Sequence, residues 1–253
     1  MTETHVLVEH PQAQPGVMVI RLNRPDKKNA ITTAMYDRMT AALHEANNHP
    51  AVRAVAFLGT DGCFSAGNDM ADFLAFAMSG EGRPAAAVFL QALATCDKPM
   101  VSGVDGLAIG IGTTLNLHCD MTIASDRSLF RTPFVDLALV PEAASSLLAP
   151  RIMGHQRAFA MLVAGEGFSA EQAREAGIVW KVVAPGEVEA QTLALAASLA
   201  AKPPHALKIA RNLIRGNGDD VLARMDEELV HFTAQLRSAE ARAAFEAFMT
   251  RKG

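Results

Sequence analysis

The chain of 253 residues is poor in cysteine, in net charge and in long apolar runs. Its three cysteines, Cys63, Cys96 and Cys119, form no C-x-x-C pair and leave an odd number. That argues against a disulfide scaffold and for reduced, mostly buried thiols in a cytosolic setting. The eight histidines include no H-E-x-x-H segment and no His/Cys cluster at ligand spacing, so no metal site is expected. A formal net charge of -4, with Lys and Arg scattered along the chain, gives no basic footprint for nucleic acid. No apolar run reaches the roughly 18 residues of a membrane span. Residues Met1 to His10 lack a charged segment followed by an apolar one, so a soluble, unsecreted, cytoplasmic protein without membrane partners is expected.

What is present is a core: 50% of residues are apolar and 20% charged, the composition of a globular domain. Val17–Leu22, Val52–Leu58, Met100–Val104 and Met121–Ser125 read as buried strands, with a short one near Leu129–Arg131. From Thr32 or Thr33 to about His49, apolar Met35, Met39, Leu43 and Ala46 recur at three and four, the pattern of an amphipathic helix. The alternation implies an α/β fold built on a largely parallel sheet. After Glu142 the chain reads as helix: Ser145–Met153, Gln156–Val163, Ala170–Ala176, Val188–Ala200, Pro204–Arg215, Asp219–Arg237 and Ala239–Arg251, with one strand over Ile178–Val183. Met70 to Gly82, rich in Ala, Met and Phe, is either ordinary helix packing or a flap over an apolar ligand.

Two glycine-bearing segments carry the chemistry. In Phe64-Ser65-Ala66-Gly67-Asn68-Asp69 and in Gly106-Leu107-Ala108-Ile109-Gly110-Ile111-Gly112, small residues stand where a buried strand gives way to a helix. Backbone N–H groups left free at such a helix start can point into a cavity, and two converging donors make an oxyanion hole.

These segments, with Leu22-Asn23-Arg24-Pro25, Lys28-Asn29-Ala30, Asp97-Lys98-Pro99 and Phe168-Ser169-Ala170, occur in the order that resembles the crotonase, or enoyl-CoA hydratase/isomerase, superfamily. The resemblance implies a crotonase-like core of repeated ββα units over residues 1–195 and a C-terminal helical region, 196–253, used in oligomerisation. It implies a homotrimer or dimer of trimers and an acyl-CoA thioester substrate. Coenzyme A then enters as part of that substrate, with no cofactor bound permanently. The donors that hold the thioester oxygen would be the N–H groups of Asn68 and Ile111. Relatives often carry three consecutive glycines where this chain has Gly110-Ile111-Gly112. Substrate contacts would come from Lys28, Ala30, Ser65, Ala66, Gly67, Asn68, Asp69, Met70, Gly110 and Phe248, with Lys252 as a further terminal candidate.

Hydratases of this family use two glutamates, and the matching positions here are Thr114 and Phe134, neither of which is a general base. One carboxylate is well placed: Glu142, in Pro141-Glu142-Ala143-Ala144-Ser145-Ser146, expected to begin a helix in an apolar stretch. Such a residue serves either as a helix N-terminal charge or as an acid/base group whose pKa burial raises. The segment is similar to that of peroxisomal-type Δ3,Δ2-enoyl-CoA isomerases, where one carboxylate carries a proton from C2 to C4. The reading is therefore an isomerase with Glu142, Asn68 and Ile111 as its catalytic groups. A hydratase or other crotonase-type reaction, and a non-catalytic acyl-CoA-binding protein, are the alternatives. Asp136 is the nearest rival acid, Asp69 and Asp120 read as caps or turn residues, and His118 as a packed helix histidine.

Overall fold

Strand-forming runs in this chain pair into two sheets where the sequence reading implied one. The computed structural model describes residues 4–73 and 84–250, with side chains as far as residue 247. The larger sheet has the order β1 (Val6–Glu9), β2 (Val17–Leu22), β3 (Ala54–Leu58), β5 (Met100–Val104), β7 (Met121–Ser125) and β10 (Lys181–Val183). All its pairings are parallel except that of the edge strand β1 with β2. The smaller sheet runs β4 (Cys63–Ser65), β6 (Leu107–Ile109), β8 (Leu129–Arg131), β9 (Phe168–Ser169), with only β9 antiparallel. The expected strand Ile178–Val183 is shorter, because Ile178 N–H and Val179 N–H close the preceding helix by donating to Ala173 C=O.

Alternation along β2 shows how the larger sheet is buried on both faces. Met18, Ile20 and Leu22 enter the main core, with Val55, Phe57 and the helix α1 (Thr33–Asn48). Val17 and Val19 face the other way, onto Ala54, Ala56, Leu58 and the helix α6 (Val188–Ala200). Period-two burial on both sides is what a parallel strand requires. Thr32 caps α1, its side chain accepting from Met35 N–H.

The remaining helices are α2 (Ala85–Ala94), α3 (Ile111–Thr114), α4 (Ser145–Leu162), α5 (Ala170–Glu175), α7 (Pro204–Arg215), α8 (Gly218–Leu236) and α9 (Ala239–Thr250). Within α4 the chain breaks at Gly154, φ 77° and ψ 165°, which divides it as the sequence reading does. α7 docks through Arg211, whose Nε donates to both carboxylate oxygens of Asp120 at 2.8–2.9 Å, and Arg215, which donates to His118 C=O at 2.9 Å. Asp120 also accepts from Met100 N–H, in keeping with its reading as a structural residue. Within the described residues no helix is long and apolar enough to cross a membrane.

Candidate active site

β4 and β6 are neighbours in the smaller sheet, and the two glycine turns leave from their ends side by side. The turns press backbone against backbone. A Cβ on Gly67 would stand 3.0 Å from Ile109 C=O, and one on Gly112 would stand 2.9 Å from Ser65 C=O. Only glycine allows that approach.

In each turn the N–H expected to act as donor has no acceptor among the described residues. Ile31 pairs with Asn68 in an isolated parallel bridge, with Ile31 N–H donating to Gly67 C=O at 2.8 Å and Asp69 N–H donating to Ile31 C=O at 2.9 Å. Those bonds flank Asn68, so its own N–H is turned to the opposite side. Gly110, at φ 56°, caps the short helix α3, its carbonyl accepting from Thr113 and Thr114 N–H. Ile111 is then the first helical residue, whose N–H has no intrahelical acceptor. Its side chain is buried in the core, so the departure from three glycines is accommodated.

Both residues line a cleft of about 1110 Å³. Lys28, Ala30, Ala66, Gly67, Asp69, Met70 and Gly110 line it too. Lys28 and Asn29 take left-handed φ of 50° and 52°, and the Asn29 amide donates to the carbonyls of Cys63 and Phe64, which seats this segment beside the first turn. Ser65 is the exception among the expected contacts. It is fully buried off the cleft wall, its hydroxyl donating to Asn29 C=O and accepting from Gly67 N–H. The side chain of Phe248, Lys252 and residues 74–82 of the expected flap lie outside the described residues.

Glu142 stands on a second, smaller cavity of about 90 Å³, which Asn68 and Asp69 also line. It does not begin a helix as expected. Ala143 and Ala144 follow it in left-handed conformation, φ 62° and 53°, and α4 starts only at Ser145. The Glu142 carboxylate caps nothing; its Oε1 accepts from the Thr114 hydroxyl at 2.5 Å. Thr114 is three residues beyond Ile111 on α3, on the same face of the turn. Burial pushes the Glu142 carboxyl up to about 8, the Thr114 hydrogen bond pulling it down and the charge of Glu228 adding to the rise.

Three further residues shape the site, and of these Tyr36 and Glu228 were not legible in the sequence. Tyr36, from α1, donates its hydroxyl to Asn68 Oδ1 at 2.5 Å. Its own pKa is raised by burial and then by the charge of Glu142. His118 is the buried last residue of a 3₁₀ helix, Leu115–His118, that follows α3, and its Nε2 donates to Ala143 C=O at 2.7 Å. Burial lowers its pKa to about 4, against the pull of the Ala143 bond, so the ring is neutral at pH 7. Glu228, from α8, accepts from Ala144 N–H at 2.6 Å.

The other candidate acids stand differently. Asp136 pairs with Arg131 at 2.9 Å on the cleft wall. Asp69 caps the helical residues 70–73, accepting from Ala71 N–H and Asp72 N–H, and is paired with Arg24 at 2.7 Å. Phe134, at the second hydratase position, is buried and lines the large cleft. Among the described residues no group of three His, Cys, Asp or Glu side chains could hold a metal ion.

The profile of the family described as Enoyl-CoA hydratase/isomerase matches residues 12–252. Enoyl-CoA delta isomerase 2 of Rattus norvegicus is 35% identical over 95% of this chain, which spans 63% of that protein's length. A probable enoyl-CoA hydratase of Rhodobacter capsulatus is 35% identical over 74% of the chain and 73% of its own length. Among solved structures, an enoyl-CoA hydratase/isomerase from Pseudoalteromonas atlantica superposes with a TM-score of 0.91 at 37% identity, covering 98% of both chains.

Proposed function

Because this chain belongs to the enoyl-CoA hydratase/isomerase family, we propose that it acts on acyl-CoA thioesters as a Δ3,Δ2-enoyl-CoA isomerase. The observation that carries the reading is the environment of Glu142: a carboxyl raised to about 8, bonded to Thr114, on a cavity shared with Asn68. A group with that pKa is able both to take and to return a proton near neutral pH.

In the proposed reaction the thioester oxygen accepts hydrogen bonds from Asn68 N–H and Ile111 N–H. Glu142 takes a proton from C2 of a 3-enoyl thioester, and the electron pair spreads over the dienolate with its charge collecting on that oxygen. The protonated Glu142 then delivers the proton to C4, and the double bond moves from C3–C4 to C2–C3. Preorganised donors favour the enolate over the neutral ground state, and removing one such donor costs about 2.7–4 kcal/mol in measured cases. No water is activated, which agrees with Thr114 and Phe134 standing where hydratases carry glutamates. The CoA moiety is assigned to the large cleft, where Lys27 and Lys28 supply positive charge for its phosphates.

We extend the proposal to a homotrimer or dimer of trimers in the cytoplasm, with residues 196–253 as the oligomerisation region. Leu213 and Ile214, on α7, are 79% and 87% exposed, a pair of large apolar side chains that a second copy would cover. Sedimentation at micromolar concentration tests this; a monomer overturns it.

The activity is tested by offering a 3-enoyl-CoA and, separately, a 2-enoyl-CoA and following the absorbance of the conjugated thioester. Rising absorbance with the first, reduced about 10²–10⁴-fold by Glu142→Gln, is the expected outcome. Rapid loss of absorbance with the second overturns the reading in favour of hydration. Turnover at background with both leaves an acyl-CoA-binding protein.

A further inference from the structure

Two consecutive alanines in left-handed conformation follow Glu142. Each costs on the order of 1–2 kcal/mol for a residue with a Cβ, so such a turn persists only where its surroundings dictate it. Here it is held from two sides. His118, from below, donates to Ala143 C=O. From above, the Glu228 carboxylate accepts from Ala144 N–H at 2.6 Å, from Ser146 N–H at 2.9 Å and from the Ser146 hydroxyl at 2.6 Å. Glu228 is 6% exposed and lies eighty-odd residues further along the chain, on α8. It thus serves as the N-terminal cap that α4 lacks from its own N-cap residue, since Ala144 has no side-chain acceptor. Leu229, Phe232, Thr233 and Leu236 of the same helix line the Glu142 cavity.

We propose that Glu228 is a positioning residue for Glu142: by clamping the 143–146 turn against α8 it fixes where the Glu142 carboxyl stands. The proposal rests on the reading of Glu142 as the proton-transfer group. Among the described residues the charged and titratable groups around the pair are few. Tyr36 from α1 and the Thr114 hydroxyl from α3 face Glu142, with Asp69 and Asp72 on the same cavity. Arg224, one turn back on α8, attracts Glu228 and donates to the Ser146 hydroxyl at 3.2 Å. Arg215 lies behind His118.

Glu228→Gln replaces one accepting oxygen by a donor, which then meets an N–H of the turn. The expected result is a kcat lower by about 10–100-fold with KM within about twofold, because the misplacement is felt at the reacting atoms and not in CoA binding. With the like charge gone, the rising limb of the pH profile moves to lower pH. Glu228→Asp keeps the charge and loses the reach: kcat falls and the limb stays where it is. A purely structural role would lower the melting temperature and leave the limb unmoved in both variants. Hydrogen exchange at the Ala144 and Ser146 amides, read without substrate, is expected to accelerate at least about tenfold in either variant relative to the rest of α4. Unchanged kcat and unchanged exchange in Glu228→Asp overturn the proposal, and that variant decides it even if Glu228→Gln fails to fold. If the wild-type protein turns over no enoyl-CoA, the activity reading falls while the exchange measurement still judges the clamp.

Discussion

Asp69 and Glu142 line one cavity and have opposite surroundings. For Asp69, burial opposes ionisation, but the hydrogen bond from Arg24, the amides of Asp72 and Ala71 and the Arg24 charge outweigh it, and its pKa falls below the ordinary value. Glu142 has burial, a single hydroxyl donor and a like charge, and its pKa rises to about 8. One carboxylate is fixed in charge and shapes the turn that presents Asn68 N–H. The other has no cation beside it among the described residues, and its pKa stands at about 8. The contrast shows that burial at a cavity does not by itself raise a carboxyl's pKa; whether a cation and amide donors outweigh it decides the direction.

That contrast can be broken at Asp69. Arg24→Met removes the cation and the bond from Arg24 to Ala30 C=O, and is expected to cost about 1.5–3 kcal/mol of stability in urea unfolding. The folded Asp69 pKa lies below its unfolded one, so the stabilisation is present above about pH 4 and lost below it. The deficit of the variant should therefore shrink in acid.

At Glu142 the sign reverses. A folded pKa of about 8 against the ordinary glutamate value of 4.5 means that the folded state binds the extra proton, so stability declines as pH rises from about 4.5 to 8. Glu142→Gln is expected to be more stable than the wild type at pH 9, on the order of 2 kcal/mol after allowance for its partly open face, and to lose that advantage by pH 5. Thermal unfolding at the two pH values checks it. A variant that is both inactive and more stable identifies a strained catalytic group.

Smaller changes sharpen the comparison. Thr114→Val removes the bond that pulls the Glu142 pKa down, so the rising limb of kcat/KM should move to higher pH, with activity at pH 7 reduced about tenfold. Tyr36→Phe leaves the Asn68 amide oxygen without its donor and is expected to lower kcat/KM about three- to tenfold at every pH, without moving the limb strongly.

Long elements were legible because their residues carry a period. Val17–Leu22, Met100–Val104, Val188–Ala200 and Pro204–Arg215 stand where the spacing placed them. α2 was not read, because Ala85–Ala94 is nearly all apolar and shows no polar face to set a phase. β4, β6 and β9 have two or three residues each and exist only through pairing with distant partners, so no local pattern announces the smaller sheet. The site divides the same way. Asn68 and Ile111 follow from glycine turns, and Glu142 from its matching segment. Thr114, Tyr36, His118 and Glu228 act through tertiary contacts between separate elements, which one-dimensional spacing does not encode.

The reliance of the 143–146 turn on α8 bears on how the protein matures during synthesis. When residue 146 has left the ribosome, the turn has the His118 bond to Ala143 C=O but none of its bonds to Glu228. Only after residues 218–236 have emerged and folded back does the turn gain its upper clamp. A nascent chain lacking α8 therefore carries both glycine turns but not the carboxylate that clamps the turn after Glu142, and that clamp arrives only with the docking of the helix.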